Sequence, residues 1–284
     1  MTNLIALIDG SIYSHSVCDH AAWAARRLEA SVRVVHAIGR RDTASAPANL
    51  SGSIGLGART ALLEELAELD AQKAKLSQKR GRLLLEEAEA RLREQGVGQV
   101  ATLLRNGDVV ETAHELEPEA DLFVIGKRGE AADFARLHLG SNLERVVRAI
   151  HKPILVAARS FKPVERFLVA FDGGTSAMKA VDHIARSWLF AGLDCRLLMA
   201  GADTPAARKQ LEDAAALLRA AGYAVQADIE PGGAAAAIAR RVEADGIDLL
   251  VMGAYGHSRI RSMIIGSTTT EMIRSCLVPV MLFR

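Results

Sequence analysis

Short apolar runs recur along this chain and alternate with longer stretches whose apolar positions return every three or four residues. The short runs fall at 3–8, 32–37, 99–104, 121–125 and 153–157, and again at 166–171, 195–200, 223–229, 247–252 and 278–283. Their length and continuous apolar character predict strands, and the helical spacing of "SVCDHAAWAARRLEA" and "AMKAVDHIARSWLFAG" predicts helices between them. Strands that are apolar throughout are expected where helices cover both faces of a parallel sheet. Alternating strands and helices with right-handed crossovers then give an α/β fold of open, doubly wound parallel sheets.

The pattern occurs twice. Asp9, Asp19 and His20 match Asp172, Asp182 and His183 at an offset of 163, and "VRVVHA" matches "CRLLMA" at the same offset. Farther on, Gly96, Gly126 and Gly140 match Gly222, Gly253 and Gly266 at offsets of 126 or 127. The change of offset means that the first half carries about 36 extra residues after its second strand. An internal duplication with so long a period predicts two domains and excludes a solenoid of short repeats. We place them at 1–159 and 164–284, five strands each, with a long loop and helix inserted at about 39–75. The insert opens on the Gly/Ser/Ala/Pro-rich "DTASAPANLSGSIGLG" and continues as a polar helix from about 60 to 95, in which Gly81 is expected to be a weak point. It reads as a lid or spacer over the sheet.

Each half ends on an apolar strand containing a proline, "KPILVAA" and "VPVMLF". An exposed apolar edge invites association. The duplication supplies a cover if the two edges pair across a pseudo-twofold axis, making an intramolecular pseudo-dimer; a homodimer through the insert helix is a further possibility.

Composition narrows the function classes. The formal net charge is +1 and aromatic residues are 4%, which argues against nucleic acid and membrane surfaces as partners. Cys18, Cys195 and Cys276 are far apart and suggest buried thiols in a reducing compartment, with no metal-ligand spacing. A strand at the very start leaves no room for a signal peptide, and the expected location is cytoplasmic.

Ligands of open parallel sheets sit beyond the carboxyl ends of the strands, where strand order reverses. Asp9 and Asp172 end the first strand of each half, and Gly126 and Gly253 end the fourth, so first and fourth strands should be neighbours flanking that crevice. Glycine there allows close backbone approach, and turn and helix-opening N–H groups can converge on an anion. In the second half the spacing is G-x2-G-x9-G-S through Gly253, Gly256, Gly266 and Ser267, followed by Thr268. It is neither a P-loop nor a GxGxxG motif.

That spacing, together with "DGGTS", "DLLVMG" and the terminal "VPVMLF", resembles the universal stress protein family, in its tandem two-domain form. The resemblance implies a Rossmann-like fold binding ATP or AMP, a cytoplasmic stress role, and pairing through the last strands. It implies that Asp172 contacts the adenosine, that Ala200 borders the adenine, and that Gly253, Gly256, Gly266, Ser267 and Thr268 hold the phosphates. A weaker second set is Asp9, Ala37, Gly126, Gly129, Gly140, Ser141 and Asn142. In the first half ten residues separate Gly129 from Gly140, and Glu130 and Asp133 stand in a loop where the second half has Arg259 and Arg261. The field therefore favours nucleotide in the second half.

Other readings stay open. Asp9 and Asp172 also suit turns, and Ser267 suits a helix cap. The paired Asp-His of each first helix has no nucleophile beside it, and no catalytic or metal constellation assembles. Slow ATP hydrolysis with magnesium near Ser267 or Thr268 is one alternative; a pocket under the insert for a lipophile or a protein is another.

Overall fold

The computed structural model describes residues 2–39, 56–127, 141–254 and 266–284; the side chains of 56–61 and 141 lie outside that description. The first half runs β1 (Asn3–Ile8), α1 (Ser14–Leu28), β2 (Ser31–Ile38), α2 (Leu56–Glu94), β3 (Val100–Asn106), α3 (Val109–Leu116), β4 (Leu122–Gly126), α4 (Ser141–Ala149) and β5 (Ile154–Ala157). The second runs β6 (Arg166–Ala170), α5 (Thr175–Arg186), β7 (Asp194–Ala200), α6 (Pro205–Ala220), β8 (Val225–Glu230), α7 (Ala234–Ala244), β9 (Leu249–Gly253), α8 (Ser267–Ser275) and β10 (Val280–Phe283).

All ten strands join one sheet, in the order β3-β2-β1-β4-β5-β10-β9-β6-β7-β8. Pairing is parallel within each half and antiparallel only at the seam, where Met281 of β10 faces Leu155 of β5. The two expected sheets are thus fused through their last strands, as a pseudo-dimer requires. The seam strands are buried end to end, which is how the chain disposes of two apolar edges. In both halves the first strand lies beside the fourth.

Helices cover both faces, and each face has one core spanning both halves. One contains Val17 and Trp23 of α1, Leu85 and Leu92 of α2, Ile184 of α5 and Leu218 of α6. The other contains Ala113 of α3, Val146 of α4, Ile238 of α7 and Met272 of α8. Further bonds cross between halves. The Arg27 Nε donates to the Leu189 carbonyl at 2.6 Å, and the Lys127 ammonium donates to the carbonyls of Cys276 and, at 3.1 Å, Val278.

By the 126-residue offset, α6 corresponds to residues 79–94 of α2, so the insert extends that helix on its amino-terminal side. Gly81 does not interrupt it. A Cβ there would lie 2.7 Å from Leu104 Cδ1 and 3.0 Å from His36 Cδ2. The glycine lets the helix lie directly on β2 and β3. The roughly 1 kcal/mol that alanine gains in helix propensity is outweighed by overpacking of about 1–3 kcal/mol.

The carboxyl-terminal end of α2 is fixed to α1 by Asp19. Arg91 grips its carboxylate from Nε at 2.6 Å and Nη2 at 2.8 Å, and the Gln95 amide also donates to it. Burial pushes the Asp19 carboxyl up, but the hydrogen bonds of Arg91 and Gln95 and the Arg91 charge together hold it below its ordinary value. A depressed folded-state pKa stabilises above the unfolded value, and that stability is lost as pH falls through the folded one. Asp19→Asn is expected to lower stability by about 1–2 kcal/mol at neutral pH. Denaturant melts on a descending pH series should show wild type and variant converging as Asp19 takes up its proton.

Candidate functional site

The carboxyl ends of β9, β6 and β7 form the floor of the second-half crevice. Ala170 at the end of β6 pairs with Met252 of β9 on one side and with Leu198 of β7 on the other. Asp172, Ala200 and Gly253 therefore stand side by side, just beyond or at the strand ends. Asp172 is exposed, and its Oδ1 accepts from the Gly174 N–H at 2.8 Å. This turn needs both glycines. Gly173 has φ +75°, and a Cβ on Gly174 would lie 2.9 Å from Asp172 Oδ1. The second glycine thus lets the carboxylate fold over the turn and open α5.

Gly253 approaches α5 closely. A Cβ would lie 2.9 Å from Ser176 Cβ and 3.3 Å from the Ala177 backbone nitrogen. Gly266, Ser267 and Thr268 are held beside it. The Gly266 N–H donates to the Ala254 carbonyl at 3.2 Å, and Thr269 Oγ1 donates to the Gly253 carbonyl at 3.1 Å. Gly266 is the N-cap of α8, and Ser267 is its first helical residue, exposed, so the helix-cap reading of Ser267 does not hold. A glycine N-cap has no side-chain acceptor to offer the N–H groups of the first turn. α5 also opens on a glycine N-cap, Gly174. The contrast is α3, where Asp108 Oδ1 accepts from Val110 N–H at 2.8 Å, and α6, where Thr204 accepts from Ala207 N–H at 3.1 Å. Two helix N-termini without such caps meet at this crevice, and their partial positive charge suits an anion. Gly256, Arg259 and Arg261 lie outside the described residues.

Pattern reading alone assigned no role to four residues here. Thr269 ties α8 to β9. Ser176 and Ala177 form the surface against which Gly253 packs. Gln210 of α6 reaches over the turn, with Oε1 2.8 Å from where a Gly173 Cβ would be. Only its position opposite Leu84 in the repeat could have pointed to it.

The first half repeats the floor with Asp9, Ala37 and Gly126 at the ends of β1, β2 and β4. Asp9 Oδ1 accepts from the Ser11 N–H at 3.0 Å, and Gly10 takes φ +77°. The turn is covered differently, because Leu84 Cδ1 and Arg80 Nη2 of α2 come within 2.9 and 3.2 Å of a Gly10 Cβ position. Leu84 and the Arg80 guanidinium thus stand where the second half has the amide of Gln210. Ser141 and Asn142 open α4. Gly129, Gly140, Glu130 and Asp133 lie outside the described residues, as do His138 and His257.

The duplicated Asp-His pairs do not form dyads. Asp19 turns to Arg91, while His20 is buried, with Nδ1 donating to the Ser16 carbonyl at 2.6 Å and its ring edge-on to Phe161. His183 packs on Phe283 with ring centroids 5.1 Å apart. Burial lowers the pKa of both histidines. Burial also pushes the Cys18 and Cys195 thiols up to about 12, which makes them poor nucleophiles. Among the described residues no cluster of His, Cys, Asp and Glu is arranged to hold a metal ion, and no helix is long and apolar enough to cross a membrane. A surface hollow lined by Arg196, Arg219 and Tyr223 lies at the amino ends of β7 and β8, away from the crevice.

Comparison with known proteins agrees with the fold. The profile of the universal stress protein family matches residues 1–158 and again 163–284. Universal stress protein Slr1230 of Synechocystis sp. (strain PCC 6803) is 38% identical over 287 residues, covering all of both chains. The crystal structure of a universal stress protein from Archaeoglobus fulgidus DSM 4304 superposes with a TM-score of 0.74 at 20% identity, over 99% of this chain and 98% of that one. That of a putative universal stress protein from Pseudomonas aeruginosa UCBPP-PA14 gives 0.63 at 16% identity, over 100% and 93%. With two profile matches in series and a relative aligned from end to end, this chain belongs to the universal stress protein family, as a tandem member carrying two copies of its fold.

Proposed function

We propose that the second half binds an adenine nucleotide, ATP or AMP, and that the chain acts as a nucleotide-responsive regulator in a cytoplasmic stress response. Its two domains are residues 1–159 and 164–284. The observation that carries the reading is the meeting of Gly253 with two glycine-capped helix N-termini, α5 and α8, at the carboxyl edge of β6 and β9. Gly253 and Gly266 give the close backbone approach, the N–H groups of Gly256, Ser267 and Thr268 take the phosphates, Asp172 takes a neutral donor of the adenosine, and Ala200 borders the adenine. With MgATP, the Ser267 and Thr268 hydroxyls are the groups that would hold the metal, which would neutralise charge on the phosphates. In this reading binding is the function and turnover is secondary.

The first-half set, Asp9, Ala37, Gly126, Gly129, Gly140, Ser141 and Asn142, is the weaker site. Its glycine loop carries Glu130 and Asp133 where the second half has Arg259 and Arg261.

Two measurements test the reading. Mass spectrometry of whatever small molecule leaves the denatured native protein should find an adenine nucleotide. In a titration followed by NMR, ATP and AMP should move the amide resonances of Gly253, Gly266, Ser267 and Thr268 and raise the melting temperature. Unmoved amides together with an unchanged melting temperature at saturating nucleotide would overturn it.

A further inference from the structure

α2 outlasts the sheet it covers. Gly81 rests on His36 and Leu104, near the carboxyl ends of β2 and β3, while the other end of the helix leads into the start of β3. The helix therefore runs antiparallel to these strands, and the residues before 80 lie past the strand ends. None from 62 to 80 is buried. At 1.5 Å per residue this is an arm of about 30 Å.

The arm carries leucines out of keeping with a lone solvated helix. Leu62, Leu69, Leu76 and Leu83 stand seven apart, with Leu66 four residues after the first. Leu69, Leu76 and Leu83 are 49%, 67% and 55% exposed. A strict seven-residue leucine repeat is the seam of a left-handed coiled coil. Charge selects the partner. Exposed Glu64, Glu65 and Glu68 occupy one end of the arm, and exposed Lys75, Lys79 and Arg82 the other.

We propose that α2 is a dimerisation arm that pairs antiparallel with the same segment of a second copy of this chain. A twofold axis between Gln72 and Lys73 sets Leu69 against Leu76 of the second copy and Leu62 against its Leu83, and brings Glu65 and Glu68 near its Lys79 and Lys75. The acidic block of each copy then lies on the basic block of the other. Parallel pairing would instead put like charges together. The interface is self-complementary and closes as a dimer.

Sedimentation velocity of the full chain over a range of protein concentrations and salt tests this. Wild type should form a dimer that weakens with salt. Leu69→Gln combined with Leu76→Gln, both at exposed positions, should raise the dissociation constant at least tenfold with an unchanged circular dichroism spectrum. The triple variant E64K/E65K/E68K should be monomeric, as should K75E/K79E/R82E, and an equimolar mixture of the two should form a heterodimer. A wild type that stays monomeric at its highest soluble concentration overturns the proposal. So does a dimer indifferent to these substitutions, or failure of the two charge variants to pair.

Discussion

Gly253→Val is expected to weaken adenine-nucleotide binding about a hundredfold or more by isothermal titration, while Gly126→Val, its counterpart in the first half, leaves that affinity nearly unchanged. The new side chain has no room. Its first carbon would lie 2.9 Å from Ser176 Cβ and 3.3 Å from the Ala177 backbone nitrogen. The second neighbour is main chain at the opening of α5, which no rotamer change can clear. Either the end of β9 or the start of α5 must shift, and both are walls of the proposed site. Overpacking of this kind costs about 1–3 kcal/mol, which a core of this size tolerates, so the variant should fold. Phosphate binding has less margin. A hydrogen bond to a charged group contributes about 1.5–3 kcal/mol, and two lost bonds account for a hundredfold. Wild-type affinity in Gly253→Val would remove this glycine from the site.

Met281→Ala should destabilise the whole chain and not one half of it. Met281 is fully buried in β10, between Leu155 of β5 and Val251 of β9. Truncating such a side chain costs about 2–5 kcal/mol. Each core runs through helices of both halves, so the halves are expected to melt together. Differential scanning calorimetry should therefore show one transition in wild type and one in the variant, lowered by about 3–8 °C. Two resolved transitions of which only one moves would mean that the halves melt independently.

Much of this architecture was legible because it is written in patterns that depend on few distant contacts. Buried parallel strands have to be short and apolar, so all ten were found within a few residues of their ends, and a duplicated pattern made each half a check on the other. The pairing of β5 with β10 followed from two apolar edges that had to be covered. The helix of the insert was also readable, though it begins at Leu56 and not near residue 60, since a glycine-rich approach blurs the start.

What escaped depended on tertiary approach. Gly81 reads as a helix defect until His36 and Leu104 are seen beneath it. Ser267 reads as a cap, yet Gly266 takes that place and leaves the hydroxyl in the first turn. Thr269, Gln210 and Lys127 carry no motif; each acts through a partner distant in sequence, Gly253, Gly173 and the Cys276–Val278 carbonyls.

The antiparallel seam between β5 and β10 has a geometric corollary. It turns the second half upside down relative to the first, so the two crevices open at opposite rims of the sheet. The long arm of α2 springs from the first-half rim. A molecule tethered by that arm still presents the mouth between β6 and β9 on its far side, where a small solute can come and go without the tether being released.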